Sequence, residues 1–113
     1  MDSSCEDFEK ARIMLHDIFE NEDVSDDIWN CYDDMQENVG ELLIIFDEYQ
    51  NESEFQNLEF RIRLFTTLIH EFSIAHSAFL SHGIPEHCKD ILAVIGKNLV
   101  AKRETFITAA ECS

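Results

Sequence analysis

The sequence predicts an all-α fold, an antiparallel up-down helical bundle with three long helices and a shorter N-terminal helix. Three observations predict it. Apolar residues recur at steps of three and four through four successive segments. The breaks between segments are short and consist of polar residues, Gly and Pro. No stretch alternates with period two for long enough to make a strand. At 113 residues, 45% apolar and 28% charged, the chain is sized for one core and one domain over 1–113.

The first helix is expected over about 5–20. Ser4 and Asp7 resemble a capping box. Phe8, Ala11, Leu15 and Ile18 form the inward stripe, with Met14 and Phe19 flanking it. Ser25 is an N-cap candidate for the second helix, 26–50, in which Ile28, Tyr32, Met35, Val39, Leu42, Phe46 and Tyr49 step 4-3-4-3-4-3. Ser53 with Gln56 reads as the next capping box and opens a third helix over 54–82. Its stripe is Phe55, Leu58, Ile62, Phe65, Ile69, Phe72, His76 and Phe79. Gly83-Ile84-Pro85 ends it: Gly can turn left-handed at C′, Ile can close the apolar contact of a Schellman motif, and Pro suits a new helix start. The fourth helix, 86–110, points Cys88, Ile91, Leu92, Ile95, Leu99, Phe106 and Ala109 inward. Helices of about 25 residues span about 37 Å, and connectors this short fold each one back along the last.

The net charge of −16 is unevenly placed. Residues 1–60 carry nineteen acids against Lys10 and Arg12, whereas residues 61–113 balance at +1. Direct binding to a nucleic-acid backbone, which needs a basic face, is not expected. The acidic N-terminus MDSSCEDFEK is unlike a signal peptide, and the charge-poor stretch Leu64–Pro85 still holds Glu71 and three histidines. A cytoplasmic or nuclear location without membrane insertion is the expectation.

Site chemistry is sparse. His70 and His76 are six residues apart, about 240° around a helix, so they cannot share a metal ion. No histidine has an acid three residues before it, which argues against a ferritin-like di-metal centre. Cys31, Cys88, His16, His82 and His87 fall near one end of the expected bundle, but their spacing matches no zinc pattern, and buried free thiols are the simpler reading. Cys5 and Cys112 are expected to be unpaired. Lys102 and Arg103 are expected near Glu54 and Glu59. No catalytic residue, metal or cofactor is assigned.

Two surfaces remain. Asp33, Asp34, Glu37, Glu41, Asp47 and Glu48 line the outside of the second helix, either as a solvated face or as a docking face for a basic partner. The third and fourth helices are apolar beyond one stripe, and Ile74 and Val94 stand outside the main registers. Such a surplus marks either the central helix of a self-sufficient bundle or an interface with a partner. The sequence therefore suggests a non-catalytic protein–protein interaction module, an adaptor or small subunit, that could form a homodimer. The alternative is an acidic inhibitor that mimics nucleic acid in a basic groove of its target.

Overall fold

A computed structural model describes the backbone of residues 4–112 and the side chains of residues 6–112. The described residues are 91% helical, with no strand among them, and four helices pack against one another. Ser4, the capping residue of the expected Ser4–Asp7 box, and the Cys5 thiol lie outside the described side chains.

Helix α1 runs Ser4–Glu22. Phe8, Ala11, Leu15 and Phe19 form its buried stripe, while Ile18 is half-buried and Met14 is exposed. Phe19, expected on the flank, is fully buried because three rings converge on it: Trp29 at 5.8 Å, Phe79 at 5.9 Å and Tyr32 at 6.2 Å. Asp23 turns left-handed at φ 52°, and the Val24 N–H donates back to the Phe19 carbonyl.

The second helix is not continuous. Helix α2 (Asp26–Met35) passes through a π-helical turn (Gln36–Gly40) into α3 (Glu41–Tyr49). Ser25 sits at the N-cap, as expected, with its carbonyl accepting from Ile28 and Trp29, although its side chain makes no capping bond. A π turn accommodates one residue more than an α turn, so the inward face shifts across it. It runs through Ile28, Cys31, Tyr32 and Met35 before the turn, then through Val39, Gly40, Leu43 and Phe46. This corrects the unbroken heptad: Leu42 is half-buried and Tyr49 is 47% exposed. Gly40 permits the close approach of α1 here, since a Cβ at this position would lie 2.9 Å from Cε1 of Phe8.

The third long helix starts later than expected. Ser53–Gln56 is a 3₁₀ turn rather than a capping box, and α4 runs Leu58–His82 with the Asn57 side chain accepting from the Phe60 N–H at 3.1 Å. Arg61 holds this loop. It donates to the carbonyls of Phe55 and Gln50 while its guanidinium lies over the rings of Phe46 and Phe106. The buried stripe of α4 is Phe65, Leu68, Phe72, Ala75 and Phe79. Leu58, Ile62, Ile69 and His76 are only half-buried. The helix packs against α2 on one flank and α5 on the other, which widens its apolar surface past a single stripe.

Gly83 caps α4 in the left-handed region at φ 74°, Ile84 is buried, and the Pro85 carbonyl accepts from Cys88 as α5 (Glu86–Cys112) begins. Cys88, Leu92, Ile95, Leu99 and Phe106 face inward. Ile91 is half-buried, and Ala109 is exposed because Phe106 is the last inward residue of α5, packed on Phe46 and Phe65. α1 lies against α3 and α5, and α4 against α2, the π turn and α5. The α4–α5 seam is thus across the molecule from the α1–α3 seam. The molecule measures 49 × 22 × 21 Å.

Candidate interaction surface

The acidic row follows the second helix across its π turn. Asp33, Asp34, Glu37, Glu41 and Glu48 are exposed, and Asp47 is half-buried. The two bases of this half are engaged on α1 itself: Lys10 lies 3.7 Å from Glu6, and Arg12 lies 2.6 Å from Glu9. Arg12 also donates to the Tyr32 hydroxyl at 2.8 Å. Hydrogen bonds to Glu9 hold its guanidinium protonated more firmly than usual, against partial desolvation, with Tyr32 adding to the effect.

Ile74 is 54% exposed and Val94 52%. Phe60, Leu80 and Val100 are also exposed on α4 and α5. The apolar surplus is not confined to these helices, because Ile13, Met14, Ile44, Ile45 and Tyr49 are exposed on the acidic half. What differs between the halves is the charge around these side chains.

Between α4 and α5 runs a groove of about 410 Å³. Ile69, Ala93 and Val100 supply apolar wall, Ser73 and Gly96 leave the space open, and Lys97 and His76 are its basic groups. Among the described residues no carboxylate lines it. Neither Ile74 nor Val94 takes part in the lining, so sequence reasoning found exposed apolar residues beside the groove rather than the groove. Its signal was the run of small residues, Ser73, Ala93 and Gly96, where two helices come close.

The remaining reactive groups are dispersed. Cys31 and Cys88 are buried free thiols, and Cys112 is exposed. Burial, chiefly, pushes both buried thiols above their ordinary value, with Asp34 and Asp27 adding to the effect at Cys31 and Glu22 at Cys88. The cysteine–histidine set near one end does not assemble. His16 packs edge-on against Trp29 at 5.3 Å and lies 3.7 Å from Glu20, while His82 faces Asp27 at 4.0 Å. Among the described residues, three metal-type donors come within 4.8 Å only at His16, Asp17 and Glu20, on the surface of α1 and without either thiol. His76 packs on Phe72, and His70 is exposed.

Lys102 and Arg103, expected near Glu54 and Glu59, make their side-chain contacts with other residues. Arg103 donates to the Thr66 hydroxyl at 2.7 Å and lies 3.6 Å from Glu104. Lys102 sits over the Phe106 ring. Glu59 pairs instead with Arg63 one turn along its own helix, where no loop has to be ordered to bring the charges together.

Among the described residues no helix is long and apolar enough to cross a membrane. No protein-family model matches the chain, and no curated protein or solved structure matches it.

Proposed function

We propose that the chain is a non-catalytic protein–protein interaction module, an adaptor or small subunit of a larger assembly, acting in the cytoplasm or nucleus. Its scaffold is an antiparallel up-down bundle. This arrangement is supported by the α1–α2 and α4–α5 turns, which line one recess through Val24, Ser25, Gly83 and Ile84. The observation that carries the functional reading is the exposure, between 41% and 54%, of Phe60, Ile74, Leu80, Val94 and Val100 along two packed helices. Large apolar side chains held in water by a rigid scaffold gain free energy when a partner covers them, at about 25 cal/mol per Å².

The second reading is an acidic inhibitor that occupies a nucleic-acid groove. It is favoured by the exposed row Asp33, Asp34, Glu37, Glu41 and Glu48.

Affinity capture from the source cell with wild type and two surface variants separates the two readings. The module reading expects Ile74→Glu with Val94→Glu to abolish capture, and neutralising Asp33, Asp34 and Glu37 to leave it intact. The opposite pattern, with binding that falls steeply with salt, selects the mimic. Capture unaffected by either variant rejects both surfaces.

A further inference from the structure

We infer that the α4–α5 groove takes the Ile44–Ile45 ridge of a second copy of this chain, giving head-to-tail self-association. The inference rests on the interaction-module reading and names the partner. Among the described residues the groove lacks carboxylates, and it presents Lys97 and His76, in a chain with 24 acids and 8 bases. It therefore selects an occupant whose apolar side chains are flanked by negative charge.

The chain carries such a segment on α3. Ile44 and Ile45 are 41% and 43% exposed, and the exposed carboxylates Glu41 and Glu48 stand one helical turn before and after them. Three and four residues apart on a helix, these four side chains form one surface. The ridge is on the exposed face of α3, whereas α4 and α5 alone line the groove, so no copy can fill its own groove.

Charge also decides against the symmetric alternatives. A two-fold contact through α3 would set Glu41 and Glu48 against their own copies. A two-fold contact through the groove would set recess against recess and Lys97 toward Lys97. Groove against ridge brings Lys97 to Glu41 and Glu48 and puts isoleucines against Ile69, Ala93 and Val100. The overall repulsion between two acidic copies is screened beyond about 8 Å at physiological salt, which leaves the local complementarity in charge of the contact. A heterologous contact leaves a free groove at one end and a free ridge at the other, so association continues past the dimer unless a ring closes.

Sedimentation velocity at tens to hundreds of micromolar protein and physiological salt tests this with two variants, each checked for helicity by circular dichroism. Val100→Glu places a carboxylate in the groove, and Ile45→Glu places one on the ridge; both sites are exposed, so the fold is retained. Wild type is expected to self-associate and each variant alone to sediment as a monomer. An equimolar mixture should double in mass and stop at the dimer, because one intact groove meets one intact ridge. A monomeric wild type, a mixture that stays monomeric, or an Ile45→Glu variant that dimerises like wild type would each overturn the inference. A monomeric wild type whose Ile74→Glu, Val94→Glu variant still loses a foreign partner would sink self-association and leave the module reading standing.

Discussion

The guanidinium of Arg12 donates to the phenol oxygen of Tyr32 across 2.8 Å, fastening α1 to α2 with a bond between residues twenty positions apart. The same group grips both carboxylate oxygens of Glu9, at 2.6 Å and 3.2 Å. The planar fork serves both partners at once, which a lysine ammonium cannot do.

Tyr32→Phe should therefore lower stability by about 1 kcal/mol, since the ring is buried and only the hydroxyl is lost. Arg12→Lys should also destabilise, and the double variant should fall short of the sum, because both changes remove one shared bond. Urea denaturation of the four proteins forms the cycle; strict additivity would show that the bond contributes nothing.

The π turn yields an inverted glycine effect. Gly→Ala in a helix interior ordinarily stabilises by about 0.8–1 kcal/mol. At Gly40 the new Cβ would meet buried Phe8 at 2.9 Å, so Gly40→Ala should lower the thermal midpoint. Deleting Asn38, exposed within the turn, should be milder than deleting Asn30 within α2. The first deletion removes the extra residue and keeps Leu43 and Phe46 inward, while the second rotates the rest of the helix. Equal losses in thermal melts would refute this.

The three described thiols should differ in reactivity. Cys112 is exposed and should react with a thiol reagent in the native protein, while Cys31 and Cys88 wait for unfolding. Rapid native labelling in a Cys5→Ser, Cys112→Ser variant would contradict the burial.

The same two thiols set an alkaline slope. Burial raises both above their ordinary value of 9.0, so the folded chain keeps protons that the unfolded chain gives up. The stability linked to them is complete below the unfolded value and is lost as pH rises through the folded one. Urea midpoints measured upward from neutral pH should decline more steeply for wild type than for Cys31→Ala, Cys88→Ala. Parallel curves would show that the thiols are not linked to unfolding.

Salt should stabilise the fold. The excess acid of residues 1–60 has two bases, both paired on α1, and carboxylates crowd the outer surface of α1, α2 and α3. The melting temperature is expected to rise between low and physiological salt as repulsion is screened. A flat or falling midpoint would mean that the acids are already neutralised in place.

The elements of the fold were legible in the sequence. Apolar spacing located four helices to within a few residues, and Gly83-Ile84-Pro85 marked the α4–α5 boundary where the structure has it. Less legible was which side of each stripe is deepest. Phe19, Leu68 and Ala75 are buried although the heptads passed over them, because a helix with two neighbours buries two flanks and a periodicity count reports one. The candidate surface was half legible: the exposure of Ile74 and Val94 followed from their place outside the stripes, but the groove depends on two helices brought together.

The sequence by itself determined the helices, most of the inward residues and the concentration of acid in the first half, because each of these is a property of neighbours along one helix. Tertiary structure alone decided the π turn, the start of α4 at Leu58, the partners of Arg12 and Arg61, and the groove that carries Lys97. Each depends on a group distant in the chain: the Phe8 ring against Gly40, the rings of Phe46 and Phe106 under Arg61, the flank of α4 beside α5. Spacing along a chain fixes the direction of a side chain about its own axis, and only the meeting of two axes fixes what that side chain touches.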